Sequence, residues 1–223
     1  MELSVLILSL QVAVVATAIN IPVALGVSWL VVKRKVPGSF IIDVVVSLPL
    51  ALPPVAIGFF LLQLLGRDGP IGAAVHEVLG VDIVFTWVAA ALASAVVSFP
   101  LMARAVMVAM GGVDERLEMS ARSLGADARK VLFTVTIPLA YRGILAGVLL
   151  GFVRALGEFG ATIIVAGNIP GRTQTLPLAM FSDIQLGHND DAIRLVAISI
   201  ALAVAALLVH NWLLKRAAAP EAS

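Results

Sequence analysis

The chain has 223 residues, 61% of them hydrophobic and 13% charged, with a formal net charge of +1 at pH 7 and no cysteine. Its mean hydropathy is +1.06, too apolar for a solvated surface to cover, which excludes a soluble globular domain and predicts a membrane protein. Lack of cysteine removes disulfides, thiolate catalysis and cysteine metal sites. The small net charge, with no basic stripe interleaved by aromatics, excludes a nucleic-acid binder.

Crossing about 30 Å of hydrocarbon takes roughly 20 apolar residues as a helix. The first such run, Leu3–Val32, lacks the basic start of a cleavable leader and is too long for one, so it reads as a retained span. Phe40–Leu65 is the second. Its Pro49, Pro53 and Pro54 each remove a helical donor, so the helix bends or breaks in mid-bilayer, and the expected kink either borders a path lined by protein or water or serves packing. The third run is Ile83–Met110, the fourth Leu139–Ala166 and the fifth Ala192–Leu214. Unbroken apolar runs favour helices over barrel strands, which would alternate. The short segment Thr175–Leu186 is a candidate re-entrant or partial helix and would make a sixth.

Between the third and fourth runs lies a charged interlude, Asp114–Lys130, within a segment of about 111–138. Gly111 and Gly112 interrupt the apolar run, and Asp114 is placed to cap a short helix with Glu115 in its first turn. Glu118 and Arg122 stand at i,i+4, Leu117, Ala121 and Leu124 fall near one face, and Gly125 is placed to end the helix. Asp127 can cap a second short helix, Ala128–Thr134, leading to Pro138 in the first turn of the next span.

Along the fourth run Gly143, Gly147 and Gly151 recur every four residues, with Glu158 seven beyond, so all four are expected on one stripe. Small residues at that spacing make a packing face. A carboxylate at mid-bilayer costs about 2.5–3.5 kcal/mol unless paired or wetted, so Glu158 is expected to face protein or water with Arg154 as its partner. Either the pair fixes helix packing or it borders a path or gate. The following loop, Gly167–Pro177, is rich in turn formers and in neutral donors such as Asn168, Thr173 and Thr175. Such donors suit either an external loop of ordinary turn chemistry or an oxyanion that must pass without being trapped by full charges.

Orientation follows the basic residues. With five spans, Lys33, Arg34, Lys35, Arg104, Arg116, Arg122, Arg129, Lys130, Arg142, Lys215 and Arg216 share one side, against Arg67, Arg172 and Arg194 on the other. The positive-inside rule then puts the N-terminus outside and the C-terminus in the cytoplasm. His76, His188 and His210 are scattered, with no metal-ligand spacing.

The order Glu118, Ser120, Ala121, Gly125, Val135, Ile137, Pro138 resembles the coupling motif of ABC importer permeases, with Met119-Ser120-Ala121 a mild departure around its usual small pair. The runs Arg154–Thr162, Asn168–Gly171, Thr173–Pro177 and Leu48–Phe59, and the outer loop Gly66–Gly72, are similar to the molybdate permeases among them. Sulfate and tungstate permeases share part of the Gly157-Glu158-Phe159-Gly160 pattern.

The resemblance implies a single all-α transmembrane permease domain over 1–223, of the type I importer class, in the cytoplasmic (inner) membrane. It implies Glu118, Ser120, Ala121, Arg122, Gly125 and Pro138 as ATPase-coupling residues, with Pro53, Pro54, Arg154, Glu158, Gly160, Asn168, Thr173 and Thr175 along the path or gate. Expected partners are a second copy of the permease, two ATPase subunits and an extracytoplasmic molybdate-binding protein. The chain lacks the phosphate-cradling Gly-x4-Gly-Lys-Ser/Thr pattern, so no catalytic residue, metal or cofactor is expected on it, and ATP with Mg is expected on the ATPase. Rival classes are a proton-coupled carrier using Glu158 and an intramembrane enzyme pairing Glu158 with His210 or Asp43. No strong internal repeat supports the carrier.

Overall fold

A computed structural model describes residues 2–34 and 36–218, with the backbone alone at Glu2 and at 216–218. Met1, Lys35 and the side chain of Arg216 lie outside the described residues, so those two members of the basic census have no structural account.

Every regular element among the described residues is helical. Helix α1 (Glu2–Ser28) buries Val5, Ser9, Val12, Ala16, Asn20 and Ala24, positions three and four apart that form one stripe. The stripe lies against α5 (Trp87–Gly111), whose Ala89, Ala90, Ala93 and Ala95 are buried. Small residues there let the two backbones approach. Asn20 donates from Nδ2 to the Ala95 carbonyl at 2.9 Å and to Ser98 Oγ at 3.1 Å, so the seam carries a polar clasp. At its C-terminal end α1 widens into a π turn, Trp29–Lys33.

The second span is not a kinked helix but two helices, α2 (Ser39–Ala51) and α3 (Pro54–Leu65), whose axes differ by 109°. Leu52 and Pro53, each followed by proline, are forced into extended backbone with ψ of 142° and 135°. Pro54 then sits in the first turn of α3, where its missing donor is harmless. A further helix, α4 (Pro70–Leu79), occupies sequence read as outer loop and its continuation.

Beyond α5 come α6 (Glu115–Ser123), α7 (Ala128–Val131), a second π turn (Leu132–Thr136) and α8 (Ile137–Leu156). The second short helix expected at Ala128–Thr134 is therefore the first part of the fourth span, which runs unbroken over Ala128–Leu156. Pro138 has no N–H to offer, and the ladder accommodates it through a π-register bond from Ile137 N–H to the Leu132 carbonyl. The same span was expected to reach Ala166, yet it stops at Leu156. Gly157 ends it, and the chain re-forms as the short α9 (Gly160–Val165). Helix α10 (Leu176–Leu186) is the partial helix anticipated at Thr175–Leu186, and α11 (Asn189–Ala218) is the last span. Among the described residues four helices are long and apolar enough to cross a membrane, or five when the bent α2–α3 pair is counted as one span.

The glycine stripe of α8 packs as expected. A Cβ on Gly143, Gly147 or Gly151 would come within 2.7 Å of Ala109 Cβ, 2.9 Å of Ala105 Cβ and 2.6 Å of Met102 Cε, all on α5. A Gly147→Leu substitution is therefore expected to force α8 off α5, costing about 1–3 kcal/mol or more by overpacking. Thermal unfolding of the detergent-solubilised protein would measure it.

Candidate functional site

Helix α6, the polar finger between α5 and α8, is built by local chemistry. Asp114 caps it, accepting the Arg116 N–H at 2.9 Å, and Glu115 and Glu118 occupy the first turn, where the helix dipole favours negative charge. Its end is a Schellman turn. Ala126 N–H reaches the Ala121 carbonyl at 3.1 Å, Gly125 N–H reaches Arg122 at 2.9 Å, and Gly125 has φ of +87°. Asp127 then caps the next helix through Lys130 N–H at 2.8 Å.

Ser120, Arg122 and Gly125 are exposed, together with the apolar Leu117, Met119 and Leu124, the last at 89%. Glu118 differs. It is 5% exposed and turns away from Arg122 toward the bundle, where Oε1 meets Lys33 Nζ at 2.9 Å and accepts the Thr136 hydroxyl at 2.7 Å. The Glu118–Arg122 pairing expected from spacing is thus replaced by a partner contributed by α1's π turn. That contact spans 85 residues of sequence, so no local pattern carries it. Ala121 is half-buried, and Pro138 lies in the first turn of α8.

A second cluster lies where two helices are broken. Glu158 was expected on the glycine stripe of α8, but it stands past the helix end, which Gly157 caps. Its carboxylate bridges the gap. Oε2 pairs with Arg154 Nη1 at 2.8 Å, as expected, and Oε1 accepts the Ala161 N–H at 2.8 Å at the start of α9. Glu158 is 3% exposed. Across from it, a Cβ on Gly160 would lie 2.9 Å from Pro54 Cβ, and one on Gly58 would lie 2.7 Å from the Ala161 carbonyl oxygen. The Pro53-Pro54 break of the second span and the Gly157–Gly160 break of the fourth therefore meet backbone against backbone.

The loop after α9 is exposed at Pro170, Gly171 and Arg172 but buried at Thr173, Gln174 and Thr175, and it bonds largely to itself. Thr173 is fully buried, its Oγ1 accepting the Ile169 N–H at 3.0 Å and donating to the Gly167 carbonyl at 3.3 Å. Asn168 donates to Ser182 Oγ at 2.7 Å. Asn168 Oδ1 and Thr175 Oγ1 are buried with no hydrogen-bond partner among the described residues. Next to Thr175, the Leu176 N–H donates to Ser9 Oγ at 2.7 Å, tying this loop to α1.

The pairings an intramembrane enzyme would need are engaged elsewhere. His210 bonds the Ala146 carbonyl at 2.9 Å, and Asp43 lies 3.6 Å from Arg104.

The described residues thus form a membrane-spanning helical bundle with a polar helical finger between α5 and α8. The chain belongs to the family of binding-protein-dependent transport system inner membrane components, whose model matches residues 8–217. It is 46% identical over 217 residues to the molybdenum transport system permease protein of Haemophilus influenzae, covering 97% of this chain and 95% of that one. It is 36% identical over 171 residues to a sulfate transport system permease of Synechococcus elongatus, covering 77% of this chain and 59% of that one. In fold it is similar to a chain of the MetNI methionine ABC transporter in an inward-facing conformation, with a TM-score of 0.71 at 15% identity over 95% of this chain and 94% of that one. It is therefore a multi-pass inner-membrane permease.

Proposed function

We propose that this chain is the permease of an ATP-driven molybdate importer, working as a homodimer with two ATPase subunits and an extracytoplasmic binding protein. The observation that carries the substrate is its 46% identity, over nearly its whole length, to a molybdenum transport permease, against 36% to a sulfate permease. ATP and Mg reside on the ATPase. Eleven basic residues on the side of α6 support a cytoplasmic finger and C-terminus, with an external N-terminus.

In this reading the exposed face of α6, with Ser120, Arg122 and Gly125, seats on the ATPase. Closing of the ATPase dimer on ATP displaces α6, and α5 and α8, continuous with it in the chain, move in turn. The transporter then has two states, and ATP and oxyanion act by binding them unequally. The junction of Pro53, Pro54, Arg154, Glu158 and Gly160 is the part of the bundle least held by continuous helix, which supports it as the gate. Asn168 and Thr175, with buried oxygens lacking hydrogen-bond partners among the described residues, are the neutral groups proposed to meet an oxyanion when that junction opens.

Uptake by proteoliposomes holding the full complex tests the reading. Radiolabelled molybdate is expected to enter with ATP and binding protein, but not with a nonhydrolysable analogue or a proton gradient alone. Gradient-driven entry would overturn it, and stronger uptake of sulfate would move the assignment to the sulfate permeases.

A further inference from the structure

Helix α6 is joined by chain to α5 and α8, but nothing covalent joins it to α1. Glu118 supplies that link. Its side chain is 7% exposed and that of Lys33 is 6% exposed, so the 2.9 Å pair between them is withdrawn from solvent. Lys33 Nζ also donates to the Val113 carbonyl at 3.3 Å, in the turn just before α6. The Thr136 hydroxyl donates to the same Glu118 Oε1 at 2.7 Å. One carboxylate oxygen thus gathers α1, the α5–α6 turn, α6 and the start of the fourth span.

The backbone is shaped for this meeting. Lys33 is the last residue of the π turn at the end of α1, and Thr136 is the last residue of the π turn before α8. A π turn adds a residue to one helical turn and so re-aims the side chains beyond it, and such turns concentrate at functional sites. A lysine serving only to mark the cytoplasmic side would keep its ammonium in water. Lys33 instead holds a desolvated carboxylate, an arrangement that tolerates little misplacement because either charge left alone is costly.

We infer that Lys33 is a positioning residue for energy coupling: it locks α6 to the inner end of α1, so that displacement of the finger is delivered to α1 as well as to α5 and α8. Helix α1 has somewhere to carry it. At its outer end Ser9 accepts the Leu176 N–H at 2.7 Å, beside the loop holding Thr173 and Thr175. The inference rests on the proposal above that α6 seats on an ATPase.

The test is ATP hydrolysed per molybdate imported by the reconstituted full complex, normalised to assembled complex. Lys33→Met is expected to raise that ratio at least fivefold while the ATPase still co-purifies, and Lys33→Arg, which retains charge and donors, to stay within twofold of wild type. The neutral, near-isosteric double variant Lys33→Met with Glu118→Gln removes the lone buried charge. It is expected to insert normally and to remain at least fivefold uncoupled. A merely structural role would change the amount of complex, not the ratio per complex. A wild-type ratio in the double variant overturns the inference, as does a wild-type ratio in Lys33→Met. A wild-type complex with no ATP-driven import removes the proposed function itself, so the two failures are told apart.

Discussion

A Glu158→Gln permease is expected to insert, to retain its ATPase and to lose most of its transport. The carboxylate does two things at once, pairing with Arg154 at 2.8 Å and accepting the Ala161 N–H at 2.8 Å, and so splices the end of α8 to the start of α9. Glutamine keeps an oxygen for Ala161 but gives up the charge. Hydrogen bonds to charged groups contribute about 1.5–3 kcal/mol, and 1.4 kcal/mol is already about tenfold in a two-state balance. Molybdate uptake is therefore expected to fall roughly tenfold or more, by that same arithmetic, with little change in ATPase co-purification. Arg154→Met is expected to be worse for stability. It leaves a carboxylate that is 3% exposed without a cation, costing about 3 kcal/mol, the low end for a broken buried pair because the Arg154 side chain is 31% exposed. Thermal unfolding in detergent separates the two variants, and unchanged uptake by Glu158→Gln would return the residue to packing.

The contrast between these two clusters shows what a single sequence discloses about such a fold. Spans one, three and five were legible because hydrocarbon thickness sets helix length and composition alone satisfies it. The α6 finger was legible because its ends are local: Asp114 and Gly125 act on neighbours a few residues away. The glycine stripe was legible for the same reason, since period four places Gly143, Gly147 and Gly151 on one face wherever the helix goes.

Failures came where partners are remote. Three prolines announced a distortion of the second span, but a kink and a 109° break share the same residues, and the close packing of Gly58 on Ala161 and Gly160 on Pro54 is a contact between distant segments. Glu158 was placed on the glycine stripe of a continuous helix, which in fact stops at Leu156 with Gly157 as its cap. Glu118 has a nearer cation in sequence, Arg122, and a nearer one in space, Lys33. Weaker screening favours the second, because the attraction between two buried charges is damped less by water than that to an exposed Arg122.

Gly125→Val is expected to separate ATP hydrolysis from transport with the permease still in the membrane. Gly125 has φ of +87° and nothing within 4 Å of the position a Cβ would take, so the substitution meets no clash and acts through the backbone alone. A β-branched residue held in that region costs about 1–3 kcal/mol. The least costly relief is to unwind the turn, giving up the Ala126-to-Ala121 and Gly125-to-Arg122 bonds. Helix α6 has nine residues, far below the length of about 12–15 at which a helix begins to hold itself in water. Its exposed face would lose its shape while the spans, which share none of those bonds, stay packed. ATPase activity of the complex is then expected to continue without import, and a substitution series identifies the cause. Asn tolerates left-handed backbone better than Ala, and Ala better than Val, so strain predicts coupling that declines from Gly through Asn and Ala to Val. A series that instead follows side-chain size, with Ala better than Asn, would mean that Gly125 is needed for close seating against the ATPase rather than for its φ. Normal import by the Val variant would remove α6 from the coupling path altogether.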